Sequence, residues 1–400
     1  MTDASPHVTE LPIERPDGCP FAPPPKFREL NDQHPISRMS YPDGHRGWLV
    51  TGHALAREVL ADRRFSSRRE LMHIPFPGMG DVKLSPATPG LFTAMDPPEH
   101  SRYRKLLAGK FTVRRMNLLA ARIEGITTRC LDAMEAAGPP VDLVQAFAFP
   151  LPALTICELL GVPGEDHGLF QQEVLTTNSL DASEEEVMAA MTALQEHMRG
   201  LIAAKRAEPT DDVLSDLVGS DLSDEEIEGI GAVLLAAGLD TTANMLALGV
   251  YALLRNPAQW DALRADPALA DRAVEELLRY LSVVDIAVKA ATADVELGGH
   301  RIEAGDSVTL ALHAANRDPR RFDAPDSLDL RRIATGHLAF GHGIHQCLGQ
   351  QLARVEMQVA YRALITRFPT LRLAVPPEEV LPRTGIVRGV QQLPVAWDRA

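Results

Sequence analysis

The residues best equipped for chemistry lie in one ten-residue stretch, Phe340-Gly341-His342-Gly343-Ile344-His345-Gln346-Cys347-Leu348-Gly349. After it, Leu352, Val355, Met357, Ala360, Leu364 and Ile365 recur at helical spacing between Gln350 and Phe368. Cys347 therefore falls just before a helix N-terminus, where backbone N–H groups and the helix dipole lower a thiol's pKa. A thiolate is the form that ligates a metal. Gly341 and Gly343 permit a tight bend and a close approach of backbone to a flat ligand. Phe340 can shield the sulfur from water, and His345 can offer a proton to an anion. Two rival readings fail. A dinucleotide-binding G-x-G-x-x-G needs glycine where Gln346 stands, and a zinc site from His342, His345 and Cys347 lacks a fourth ligand at suitable spacing.

A second cluster is Ala237-Gly238-Leu239-Asp240-Thr241-Thr242, which sets an acid and two hydroxyls into an otherwise apolar run. A buried aspartate is costly unless it is paired or functional. Either Asp240 meets a basic partner and Thr242 bonds back to its own helix, or the group serves a reaction.

These side chains need elements to hold them. The clearest is a helix from Ser223 to Arg255, opened by the S-x-x-E pattern of Ser223 and Glu226 and stopped by Asn256-Pro257. Roughly 32 residues at ~1.5 Å each make it about 48 Å long, enough to cross the whole molecule. Strands are expected at 46–53, across 294–312 with Gly298-Gly299 as a turn, and near Leu393 to Trp397. Residues 1–30, with Pro23-Pro24-Pro25, read as an irregular arm. The expected architecture is mainly α with a small β-rich portion built from distant segments, in a single domain over 1–400.

Composition narrows the function classes. The 400 residues carry a net charge of -14, which disfavours nucleic acid and anionic lipid as partners. Four scattered cysteines, Cys19, Cys130, Cys157 and Cys347, make no disulfide framework, and Cys130 and Cys157 sit among apolar residues as small hydrophobes. The N-terminus has neither a basic nor an apolar signal region, and Ile230 to Leu239 falls short of the ~20 residues of a membrane span. The expectation is a cytoplasmic monomer with no membrane attachment.

The cysteine loop matches Phe-Gly-x-Gly-x-His-x-Cys-x-Gly at every fixed position, and there the chain resembles the cytochrome P450 haem-thiolate monooxygenases. Other stretches carry the resemblance further. Glu276 and Arg279 match the family's Glu-x-x-Arg pair, which can meet on one helix. Asn316 to Pro319, Phe322 and Pro325 resemble the meander before the haem loop. The pair's usual third, basic partner falls near position 327, which is Ser327 here, leaving Arg331 or Arg332 to replace it. Asp96 to Arg104 resembles the start of a haem-contacting helix, with His100 and Arg104 four residues apart on one face.

The resemblance implies a triangular helical bundle enclosing haem b around the long central helix of 223–255, with Cys347 as iron ligand in the 340–349 loop. It implies further haem contacts from His100, Arg104, Ala237, Lys289, Phe340, Gly341, His345 and Gly349. Lys289 stands where the family usually has arginine, keeping the charge and losing the bidentate fork. Asp240 and Thr241 are implied as the oxygen-activating pair, with Thr242 second. Dioxygen is the implied co-substrate, and NAD(P)H electrons would arrive through a separate ferredoxin and its reductase, since the chain ends about 50 residues past Cys347. Docking is expected on the cysteine side, steered by basic residues such as Arg354. The loop region is most similar to actinobacterial members that oxidise bulky apolar polyketides, macrolides, statin-like compounds, sterols or xenobiotics. Val233, Ala236, Val284, Ile286 and Val387 are expected pocket walls, under a lid from 71–95 and 165–190. A haem-thiolate binding or sensing protein without turnover is the alternative function.

Overall fold

The long helix forms as its caps dictate. In the computed structural model, which describes residues 7–14, 21–177, 182–383 and 387–398, it runs Asp224–Leu254. Ser223 Oγ accepts from the Glu226 N–H at 3.2 Å, and Glu226 Oε2 accepts from the Ser223 N–H at 2.8 Å. Two orphan donors at the helix start are thereby satisfied. Pro257 then opens the next helix, Pro257–Ala265, where its missing N–H does no harm.

This helix threads two apolar cores. Ile227, Ile230, Leu234, Leu235, Leu239 and Ala243 pack into one, with the helices Pro150–Leu160 and Glu184–Ala207. Met245 to Leu248 and Val250 to Leu253 pack into the other, with Ala270–Leu281 and Gln350–Arg367. Asp240 to Asn244 thus lie where the two cores meet. By length and apolarity alone the helix could cross a membrane, but 72% of its most apolar window is buried inside the fold.

The helix after the cysteine is locked to the central one. Tyr361 donates its hydroxyl to the Met245 carbonyl at 2.8 Å. A Cβ on Gly249 would overlap that hydroxyl, so glycine sets the distance of approach.

The main sheet has strand order His7–Val8, Ile36–Ser40, Arg46–Val50, Ser307–Ala311, Ile286–Ala291, Phe65–Ser66. The expected strand at 46–53 is Arg46–Val50, and the one near 393–397 is Pro394–Ala396 in a small second sheet. The 294–312 region divides into a hairpin, Val295–Leu297 with His300–Ile302, and the strand Ser307–Ala311. Gly298 and Gly299 turn the hairpin at φ of 58° and 82°. The arm at 1–30 is less irregular than expected: residues 7–8 join the sheet, and Pro25 starts the helix Pro25–Gln33. The rest of that arm's opening, 1–6 and 15–20 with Cys19, lies outside the described residues.

Glu276 and Arg279 are fully buried and fork onto each other through two bonds of 2.8 Å. Arg279 also donates to the carbonyls of Asn316, Pro325 and Ser327. The third partner is Arg332, whose Nε lies 3.1 Å from Glu276 Oε1, so Ser327 contributes a carbonyl and no charge. With its donors and acceptors paired, this buried ion pair fixes the irregular 316–332 segment against the helix below the cysteine loop.

Candidate active site

The cysteine loop folds as its glycines require. Gly341 and Gly343 have φ of 66° and 75°, and a Cβ on Gly343 would strike the Leu60 carbonyl. The loop closes through the Cys347 N–H on the Phe340 carbonyl at 2.9 Å. Gly349 caps the following helix, which starts at Gln350, so Cys347 does stand at a helix N-terminus. Its thiol is nevertheless held above the usual range. Burial raises it, and the N–H groups of Gly349 and Gln350 with Arg104 and Arg354 offset only part of that. Helix N–H groups favour the anion, but although Cys347 is exposed to the cavity, the protein packed around the loop makes desolvation the larger effect until a cation binds the sulfur.

Above the sulfur lies a cavity of about 540 Å³. Ala237, Gly238, Thr241 and Thr242 of the central helix and Phe340, Cys347 and Gly349 of the loop all line it. Thr241 Oγ1 donates to the Ala237 carbonyl at 2.7 Å, so it is Thr241, and not Thr242, that bonds back along the helix. Asp240 points away from the cavity and is 2% exposed. Its Oδ1 is bound by Arg383 and accepts from Asn244 Nδ2 at 3.0 Å. Its Oδ2 is buried without a hydrogen bond among the described residues. Arg383 lies beside the isolated bridge of Pro382 with Val390, 143 positions away, and no local signal pointed to it.

One edge of the cavity gathers donors. The rings of His100 and His345 lie 4.1 Å apart. Arg104 donates to the Gln346 carbonyl at 2.6 Å, and Lys289 to Ser67 Oγ. Neither cation has a carboxylate partner among the described residues, and both His100 nitrogens and His345 Nε2 are buried without a hydrogen bond. Burial, reinforced by Lys289, His100 and Arg104, drives His345 down to about 3. Burial likewise lowers His100, and Arg104 and Lys289 add to it. Burial takes Lys289 down to about 8 against the pull of Asp96. Buried donors with no acceptor are costly, and two neighbouring carboxylates would satisfy them. That is the chemistry of haem propionates, and with a cysteine facing a mostly apolar slot, the residues present fit haem.

Of the expected substrate walls, Val233 and Val284 line the cavity. Ala236, Ile286 and Val387 do not. Ala236 is turned toward the core containing Ile227 and Leu239, Ile286 packs with the cluster of Val8, Leu11 and Phe27, and Val387 packs against the core of Met245 to Leu253. The walls come instead from residues such as Phe92, Phe111, Ile156, Ala287 and Val288. Met72, Phe92, Thr93 and Ala94 bring the 71–95 loop onto the cavity, whereas the described residues of 165–190 contribute none of its lining; 178–181 lie outside the described residues. The 71–95 loop is tied down by His73. Its ring stacks on His45 at 3.7 Å and bonds Asp43, and its N–H donates to Ser307 Oγ at 2.9 Å. Arg354 is not a free surface cation. It sits over the Phe340 ring and pairs with Glu275, which Arg354 and His337 hold down to about 2 although burial pushes it up.

The cytochrome P450 family matches residues 177–391, and cytochrome P450 105C1 of Streptomyces sp is 48% identical over 94% of this chain and 96% of that protein. The chain is a cytochrome P450. It is therefore a haem-thiolate monooxygenase. Pentalenic acid synthase of Streptomyces avermitilis is 43% identical over 95% of both chains. The crystal structure of CYP105P1 in complex with filipin I superposes with a TM-score of 0.92 at 40% identity, covering 98% of this chain and all of that one. The mainly helical fold expected from the sequence is the fold of these P450s, and a vitamin D3 dihydroxylase and a nocardicin C N-oxygenase are among its relatives.

Proposed function

We propose that this P450 oxygenates a bulky, mostly apolar natural product or xenobiotic on a haem b held by Cys347. The observation carrying the reading is the convergence on one apolar cavity of Cys347, the donor edge of His100, Arg104, Lys289 and His345, and the hydroxyl of Thr241. Haem supplies the iron at which dioxygen is reduced and one oxygen atom is passed to the substrate. Cys347 holds the metal as thiolate, its charge stabilised by the N–H groups of Gly349 and Gln350. Arg104 and Lys289 neutralise the propionates while His100 and His345, kept uncharged by burial, donate to them.

Thr241 presents a hydroxyl on the opposite wall that can leave the Ala237 carbonyl and donate into the cavity. On turning from Arg383, whose side chain is 17% exposed, Asp240 takes a proton from solvent and passes it to the Thr241 hydroxyl in place of the one donated. Ala237 and Gly238 keep the space beside Thr241 open. The mostly apolar cavity of about 540 Å³ supports a large apolar substrate, and filipin I in the CYP105P1 complex and the acid named in pentalenic acid synthase are natural products of that kind of relative. Electrons come from a ferredoxin-type protein and its reductase, and ultimately from NAD(P)H.

The test is the reduced, carbon-monoxide-bound absorption spectrum. The wild type gives a thiolate-type Soret band, and Cys347→Ala does not. A variant that kept that band would sink the ligand assignment. Product formation with a ferredoxin and reductase then separates turnover from ligand sensing.

A further inference from the structure

The charges lining the cavity do not balance. Its cations are Arg69, Arg104 and Lys289, and the one carboxyl side chain among its lining residues, Glu356, is fully buried and pushed well above the usual carboxylate range by that burial. In the proposed function the two propionates of haem offset Arg104 and Lys289. Arg69 is left over.

Arg69 also stands apart from the donor edge. The charges that act on His100 and His345 are one another's, Arg104's and Lys289's, with Asp96 on His100, and Arg69 is not among them. It forms no ion pair among the described residues. Its Nε donates to the Ser85 carbonyl at 2.7 Å and one terminal nitrogen to the Pro86 carbonyl at 3.3 Å. Two neutral carbonyls orient the guanidinium without cancelling its charge, and three of its five N–H groups stay available. Arg69 precedes Met72 on the covering loop, whose far end brings Phe92, Thr93 and Ala94 to the same cavity. Glu70, beside it, feels its charge but is paired with Arg68, so a guanidinium without a direct ion pair among the described residues borders an apolar cavity and can receive an anion.

We propose that Arg69 anchors a carboxylate of the substrate, so that the preferred substrates are bulky apolar skeletons bearing an acidic group. This rests on the cavity being the substrate site. The apolar walls hold the skeleton, and the guanidinium fixes which end faces the loop and hence which carbons face Thr241.

The haem-loaded protein is titrated with abietic acid and with methyl abietate, the same tricyclic skeleton with its charge masked, and binding is read from the Soret shift. A charge-assisted bond makes the acid bind on the order of 10- to 100-fold more tightly than the ester near neutral pH. Arg69→Gln brings the ratio to about one by weakening the acid while leaving the ester unchanged, and Arg69→Lys restores part of the preference. Equal binding of acid and ester by the wild type, or an undiminished preference in Arg69→Gln, overturns the proposal. So does loss of haem from Arg69→Gln, which would place Arg69 among the propionate ligands. If neither compound binds, the proposal falls together with the substrate class, whereas an ester that binds as well as the acid removes only the role of Arg69.

Discussion

Replacing Arg279 by lysine keeps the charge and tests what the guanidinium's shape contributes. Arg279 donates five hydrogen bonds, two to Glu276 and one each to the carbonyls of Asn316, Pro325 and Ser327. An ammonium has three donors on one atom, so at least two of the five bonds are lost; Glu276 Oε1 and the Ser327 carbonyl keep Arg332 as a donor, whereas Glu276 Oε2 and the carbonyls of Asn316 and Pro325 have no other among the described residues. At about 0.5–1.5 kcal/mol for each lost bond and about 1–3 kcal/mol for an acceptor left unsatisfied, Arg279→Lys costs about 1–6 kcal/mol of stability. Arg332→Ala removes a partner that is 12% exposed and leaves Glu276 its fork with Arg279, so its cost is smaller, about 1–2 kcal/mol. Urea unfolding followed by far-ultraviolet circular dichroism measures both, and haem content after purification reports whether the 316–332 segment still supports the cysteine loop. If Arg279→Lys unfolds within about 0.5 kcal/mol of the wild type, or Arg332→Ala costs more, the account of the buried pair is wrong.

Thr241→Ala removes the cavity hydroxyl without changing the walls; substrate affinity stays within about twofold while reducing equivalents are diverted from product to hydrogen peroxide, read by measuring both against NAD(P)H consumed. Gly343→Ala forces a Cβ against the Leu60 carbonyl at a φ that disfavours it, and haem occupancy drops sharply in pyridine haemochromogen assays, whereas Gly109→Ala, with open space at its Cβ, leaves it unchanged. His45 is held below its ordinary pKa by burial first and His73 second, and its Nε2 accepts from the Ser307 N–H at 3.2 Å. A depressed histidine stabilises the packed loop above the ordinary value, and that contribution fades as pH falls through the ordinary value toward the depressed one. Hydrogen-exchange protection of 72–80 therefore decreases from about pH 7 to about pH 5, and His45→Gln flattens the change; an equally steep decrease in the variant would refute this role.

Much of the site was legible because its determinants are local. The cysteine loop declares itself through glycines at required φ values, and the central helix through a capping box whose two halves are three residues apart. What was missed depends on partners brought together by the fold. Strand Ile286–Ala291 reads Ile-Ala-Val-Lys-Ala-Ala, too rich in alanine to signal a strand, and is made one by pairing with Ser307–Ala311. Arg383 reaches Asp240 from a distant segment. Arg332 replaces a cation expected near Ser327 because irregular backbone carries no periodicity to set its register. The helix N–H groups read from the sequence do pull the thiol down, but the desolvation that outweighs them comes from packing that the sequence does not show. Ala236 shares a helix with true cavity residues, and a rotation of about 100° per residue turns it into the core.

The contact of Tyr361 with Gly249 and the Met245 carbonyl separates the part of the site that sets the reaction geometry from the parts that shape the chamber. It clamps the helix bearing Thr241 to the helix that follows Cys347, so the spacing between sulfur and hydroxyl is held by one contact. The remaining walls come from the 71–95 loop, the strand Ile286–Ala291 and single side chains on other helices, none of which enters that clamp. Mutations there can enlarge, narrow or recharge the chamber while leaving the reaction geometry untouched. Changing what the enzyme oxidises therefore does not require changing how it oxidises.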